Sequence, residues 1–294
     1  MRALVLSGGG SKGSYETGVL KKWMAEDGVD YDLISGVSVG ALNAAVLCQS
    51  PKGAPMEAWV HLNRFWLDVT TAKVRKSWWP FGMGSALWKP SVYNSEPLHK
   101  WVRGTLDAAK IRDSGRKLRV LAVSWESGES RTVDETEPDI LSWVLASSAF
   151  PGMFLPVKVD GGLWADGALR SVTPLGEAVR AGATEIDMIL CTDPRLPSPF
   201  KCAGKAAIPD LALRAVNLLI NEVMRDDLKI CELRNADTDY RKVTLRVLKP
   251  KIDLGRIAGD GLTFEPKAMR ELIELGYEDA CALGRGAPLT CTDK

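Results

Sequence analysis

Histidine is almost missing from this chain of 294 residues, which holds only His61 and His99. A serine hydrolase of the common strand-and-helix kind places its histidine late, after the acid. No histidine follows His99, so a Ser-His-Asp triad in that order is excluded by counting. Cysteine occurs at 48, 191, 202, 231, 281 and 291, never as Cys-x-x-Cys and never with a histidine at ligand spacing. A zinc site is therefore not expected, and the thiols read as scattered and reduced. The sequence also lacks a run of roughly 18 apolar residues, the length that reads as a membrane span. The apolar stretch in the opening MRALVLSGGG is too short for a secretory leader before glycine breaks it. A net charge of +1 with no block of Lys or Arg gives no reason to expect nucleic acid. These absences point to a cytoplasmic protein, and give no reason to expect a cofactor.

Hydrophobic residues make up 46% of the chain, enough for a sizeable core. Ala3 to Leu6 reads as a buried strand, followed at once by Gly8, Gly9 and Gly10, and then by a helix over Tyr15 to Glu26. Leu33 and Ile34 repeat the pattern, with a helix over Ser38 to Cys48. This alternation predicts an α/β fold with a mainly parallel sheet covered by helices. Further strands are expected at Leu118 to Ser124, Phe154 to Val159, Ile186 to Cys191 and Val243 to Leu248. Helices are expected over Met56 to Leu67, from His99, over Ile140 to Ala149, over Leu211 to Ile230, and from Glu265-Pro266, where proline suits a first turn. Leu213, Val216, Ile220 and Val223 would form the inner face of the fourth of these helices. Met269, Leu272, Ile273 and Gly276 would form that of the last. No repeat or linker divides the sequence, so residues 1–294 read as one domain.

Residues 51–101 stand apart. They hold Trp59, Trp66, Trp78, Trp79, Trp88 and Trp101, with SWWPFGMGSALWKP the densest patch. Tryptophan favours membrane interfaces, so a lid or lipid-facing cap using Trp78, Trp79 and Trp88 is one expectation. Rings packed against the core are the other.

Two motifs carry chemistry. Gly36-Val37-Ser38-Val39-Gly40 lies between an apolar strand and a helix-forming run, the context in which Gly-x-Ser-x-Gly lifts a serine hydroxyl clear of the backbone. The helix behind it favours negative charge at its N-terminus. The second motif, Gly8-Gly9-Gly10-Ser11-Lys12-Gly13, is a poor nucleotide loop, because Lys12 precedes the last glycine instead of following it. Its consecutive amides could cradle an oxyanion, with Lys12 adding positive charge. With histidine excluded, a carboxylate is the next candidate for the base of Ser38, provided burial raises its pKa from about 3.9. Asp160-Gly161 and Asp166-Gly167 both fit, and both also read as ordinary turns.

The glycine loop, the serine pentapeptide and Asp166-Gly167-Ala168, in that order, resemble the patatin-like phospholipase family. Ala146 to Gly161, ASSAFPGMFLPVKVDG, resembles the segment leading to that family's aspartate. The resemblance covers residues 1 to about 195. It implies a three-layer α/β/α fold and metal-independent hydrolysis of acyl esters in phospholipids, lysophospholipids or neutral lipids. It further implies a Ser-Asp dyad, with Ser38 as nucleophile, Asp166 rather than Asp160 as base, and an oxyanion hole from the Gly8 to Gly13 amides. The Val39 amide is a further expected donor. Three alternatives stay open at this point: acyl transfer to an alcohol through the same acyl-enzyme, a non-catalytic lipid-binding protein, and a nucleotide-binding protein built on the glycine loop.

Overall fold

The computed structural model describes residues 1–78, 91–193, 208–236, 242–259 and 261–285. Eight strands form one sheet: β1 (Arg2–Leu6), β2 (Leu33–Gly36), β3 (Lys117–Ser124), β4 (Ser130–Asp134), β5 (Val157–Val159), β6 (Gly162–Asp166), β7 (Glu185–Ile189) and β8 (Thr244–Leu248). Their order is β5-β6-β3-β2-β1-β7-β8, with β4 paired to β3 off that path. From β3 to β8 the neighbours are parallel. Antiparallel pairs β3–β4, β3–β6 and β5–β6 complete the other edge.

The helices are α1 (Ser14–Leu20, extended by a π turn over Lys21–Glu26), α2 (Val39–Leu47), α3 (Pro55–Asp68), α4 (Thr71–Val74), α5 (Glu96–Thr105), α6 (Ala108–Asp113), α7 (Ile140–Ser147), α8 (Leu175–Arg180), α9 (Ile208–Ala236), α10 (Gly255–Ala258) and α11 (Pro266–Leu283). They cover both faces of the sheet. Side chains alternate along a strand, so Leu4 and Leu6 of β1 enter one core, with residues of α1, α2, α3, α7 and α11. Ala3 and Val5 enter the other, with Leu175 of α8 and Met224 of α9. β1 is apolar along its run because both of its faces are covered. The three-layer α/β/α expectation is met.

Differences from the sequence reading lie at the antiparallel edge. β5 begins at Val157, not Phe154, because Pro156 has no N–H to give a strand ladder. β4 and β6 were not foreseen; both are short and partly exposed, so neither has a continuous apolar run. On α11, Met269, Leu272 and Gly276 are buried as expected, with Ile273 partly so. On α9, Ile220 and Val223 pack on the core, and the side chain of Leu213 lies outside the described residues.

Several tryptophans of the 51–101 region pack inward. Trp66 is buried, and Trp101 stacks on Phe65 at 4.2 Å between ring centroids. Trp59 donates its indole N–H to the Thr17 carbonyl at 3.1 Å, and Trp78 donates to Ser91 at 3.0 Å. Trp79 and Trp88 lie outside the described residues. Among the described residues, no helix is long and apolar enough to cross a membrane.

Candidate active site

In an open parallel sheet, ligands gather beyond the carboxyl ends of the strands. Strand register brings the sequence motifs together there. Leu6, the end of β1, pairs with Gly36, the end of β2, so the glycine loop and the serine turn leave the sheet side by side. Gly36 pairs in turn with Val120 of β3. Two residues further along β3, Ala122 pairs with Asp166, the last residue of β6. That antiparallel pairing delivers an aspartate from far along the chain to the edge where Ser38 stands.

Ser38 adopts φ 56° and ψ −128°, a conformation that costs a non-glycine residue on the order of 1–3 kcal/mol. The surroundings hold it there. Its N–H donates to the Ser147 hydroxyl at 3.1 Å, and its carbonyl accepts the Ser148 hydroxyl at 3.1 Å. The turn can be this tight only with glycine at both flanks. A Cβ on Gly36 would lie 2.1 Å from the Gly40 carbonyl oxygen, and one on Gly40 would lie 2.4 Å from that of Leu6. Gly36→Ala is therefore expected to destabilise the fold by about 3 kcal/mol, at the upper end for overpacking. Urea denaturation measures this, and an unchanged midpoint would mean that the turn relaxes freely.

The glycine loop spends some of its expected donors elsewhere. The Gly8 amide donates to the Val172 carbonyl, Ser11 to Gly261, and Lys12 to Gly9. Gly13 lies within the short helical turn Gly10–Gly13. Among the described residues, the amides of Gly9, Gly10 and Val39 have no such partner. The set of amides able to hold an oxyanion is thus smaller than the whole loop. Gly8 itself packs beside the nucleophile turn, where a Cβ would lie 3.2 Å from that of Ser38.

Asp166 is fully buried. Its Oδ1 accepts the Ala168 N–H at 2.9 Å. Burial pushes the carboxyl up to about 7, against the opposing pull of the Ala168 amide and of the Ser38 hydroxyl. The Ser38 hydroxyl is among the groups that act on this carboxyl, yet Oδ2 makes no hydrogen bond of standard geometry. Such contacts commonly tighten only when substrate binds. Asp160 is elsewhere, exposed in the β5–β6 turn and paired with Arg131. Neither histidine lines the cavity that holds Ser38. His61 Nδ1 is engaged with the Ser50 hydroxyl at 2.8 Å, and His99 Nε2 lies 3.5 Å from that of Ser95.

That cavity has a volume of about 280 Å³. Phe65, Trp66, Val69, Leu98, Trp101 and Phe154 give one side an aromatic and aliphatic wall, while Gly8, Gly9, Gly10 and Lys12 line the side at the loop. Ile220 and Met224 of α9 close it from the opposite face of the sheet. Among the described residues, no group of three or more His, Cys, Asp or Glu is placed to hold a metal ion. Ser147 and Ser148 were missed by the sequence reading, although ASSAFPG contains them.

Comparison with known proteins bears on this arrangement. A family model described as patatin-like phospholipase matches residues 4–179. The chain is 29% identical over 194 residues to the uncharacterized protein YjjU of Escherichia coli (strain K12), covering 64% of this chain and 51% of that protein. It is 27% identical over 221 residues to triacylglycerol lipase ptl2 of Schizosaccharomyces pombe, covering 66% and 33%. It is also 25% identical over 294 residues to patatin-like phospholipase domain-containing protein 7 of Mus musculus, covering 94% and 20%. The chain thus spans about half or less of the length of these relatives. Among solved structures, VipD from Legionella pneumophila aligns with a TM-score of 0.44 at 13% identity, covering 96% of this chain and 66% of that one.

Proposed function

The chain belongs to the patatin-like phospholipase family, and from that premise we propose that it hydrolyses acyl esters of lipids through a Ser38–Asp166 dyad. The observation that carries this reading is the buried Asp166 carboxyl, held near neutrality and within influence of the Ser38 hydroxyl. A carboxylate of ordinary pKa is too weak a base for a serine hydroxyl at neutral pH; one raised to about 7 is matched to the task. The apolar cavity wall supports an acyl chain as the group bound, and a relative named as a triacylglycerol lipase supports the same substrate class.

The reaction proceeds in two halves. Ser38 Oγ bonds to the ester carbonyl carbon as Asp166 takes its proton. The carbonyl oxygen becomes an oxyanion facing the Gly9, Gly10 and Val39 amides, each such donor being worth roughly 3 kcal/mol of barrier. Collapse breaks the ester C–O bond, and the proton passes from Asp166 to the departing alcohol or lysolipid. Water then attacks the acyl-enzyme and gives a proton to Asp166. The second collapse frees the fatty acid and returns that proton to Ser38. No step calls on a metal.

Covalent labelling tests this directly. A fluorophosphonate should modify Ser38, located by peptide mass, and p-nitrophenyl esters and phospholipid vesicles should be cleaved with chelator present. A folded sample that takes no label would favour a binding protein that keeps the fold without the chemistry.

A further inference from the structure

The reaction leaves one buried acid unused. Glu16, on α1 just after the glycine loop, is wholly buried and lies at a junction of chain segments. Its Oε2 accepts a 2.7 Å hydrogen bond from Asn43 Nδ2, whose amide also donates to the Gly13 carbonyl at 3.0 Å. Asn43 belongs to α2, the helix that follows directly on Ser38, and its Oδ1 accepts the Trp66 indole N–H at 2.8 Å. On the other side, the Cys191 thiol donates to Glu16 Oε1 at 3.4 Å. Cys191 sits just past β7 and presses on the glycine loop, since a Cβ on Gly9 would lie 2.6 Å from its own Cβ. Its amide donates to the Ser7 hydroxyl at 2.8 Å. One carboxyl therefore joins the nucleophile helix, the end of β7 and both ends of the loop bearing the free Gly9 and Gly10 amides.

We infer that Glu16 is a positioning residue for the oxyanion loop, acting as a neutral acid, and that its ionisation loosens the loop and slows hydrolysis. The inference rests on the hydrolase reading above. Its physical basis is the cost of an unpaired buried charge, which a group avoids by staying neutral or relieves by letting its surroundings rearrange. No cation pairs with Glu16 among the described residues. Burial pushes its carboxyl up to about 8, although Asn43, Cys191 and the Ser7 backbone pull the other way. Cys191 and Tyr15 do not change charge there. Burial and the neighbouring Glu16 push the Cys191 thiol well up, while burial and Asp279 of α11 raise the Tyr15 phenol. Lys12 is the nearby cation, and its field is felt at Cys191.

Turnover of a p-nitrophenyl ester between pH 6 and 10, with circular dichroism to show that the fold persists, reads the effect. The wild type should lose activity with a midpoint near 8, falling about tenfold by pH 9. Glu16→Gln keeps the shape and the acceptor for Asn43 but cannot ionise, so its alkaline limb should vanish. Glu16→Ala should lower kcat about 10- to 100-fold with little change in KM, and Gln at the same position should restore it. Amide hydrogen exchange over residues 7–14 reads the loop without catalysis. Corrected for the intrinsic pH effect, protection should fall between pH 7 and 9.5 in the wild type and not in Glu16→Gln. A wild type with equal loop protection at both pH values overturns the inference whether or not the ester is cleaved. An alkaline limb that persists in Glu16→Gln does the same.

Discussion

Asp166→Asn is expected to lower kcat by about four orders of magnitude, the scale seen when the acid of a nucleophile–base unit is neutralised. The same change should make the protein more stable, increasingly so as pH rises. In the unfolded chain the carboxyl titrates near 3.9, whereas burial holds it at about 7 in the folded protein. Below the lower value both states are protonated, and Asp166 contributes nothing to the pH dependence. Between the two values the unfolded chain has released its proton while the native state keeps it, so stability falls with rising pH. Above about 7 the full cost of a buried carboxylate is present: about three pKa units, or about 4 kcal/mol. Asparagine carries no such cost and can still accept the Ala168 amide. Urea melts at pH 4.5 and pH 8 should therefore show a gap between variant and wild type that widens to a few kcal/mol at the higher pH. A gap independent of pH would mean that Asp166 is not raised, and the case for it as base would weaken with it. Asp160→Asn provides the contrast. Its carboxylate is exposed in a hairpin turn beside Arg131, so both activity and stability should change little.

The contrast between these two aspartates shows what a sequence can carry. Both stand in Asp-Gly pairs within a few residues of each other, and local turn chemistry treats them alike. What separates them is the pairing of Ala122 with Asp166, a contact between distant strands that no local pattern encodes. The first two strand–turn–helix units were legible because each joins a short run of buried apolar residues to glycines with a definite steric task. Strand β6 was not, since a short half-exposed strand between two glycine turns has no such signature. Ser147 and Ser148 escaped for a related reason. A hydroxyl bonded to a backbone group more than a hundred residues away leaves no spacing to read. The glycine loop was found whole, but its division into spent and free amides depends on the Val172 and Gly261 carbonyls, which arrive from distant segments. Within the tryptophan-rich region, Trp66 and Trp101 turn inward to wall the cavity, because an indole ring buries a large apolar area once its N–H has a partner.

The pH dependence of turnover distinguishes the dyad from any mechanism that borrows a histidine. A base must be ionised to accept the serine proton, so kcat/KM should rise with pH through a midpoint near 7 and fall about a hundredfold by pH 5. A midpoint there is what an imidazole would also give, with its ordinary value near 6.5. The shape of the curve alone therefore decides nothing. Burial and the nearby Arg103 lower the pKa of His99, and its ring lies outside the cavity wall contributed by its neighbours Leu98 and Trp101. His61 is engaged with the Ser50 hydroxyl and does not line the cavity. Replacing both by glutamine should accordingly leave the rising limb at the same midpoint and the maximal rate within about twofold. Collapse of activity in a folded His61→Gln, His99→Gln protein would return the proton to an imidazole. An unmoved limb would assign it to a carboxylate whose affinity for the proton comes from burial, the same burial that makes Asp166 a burden to the fold.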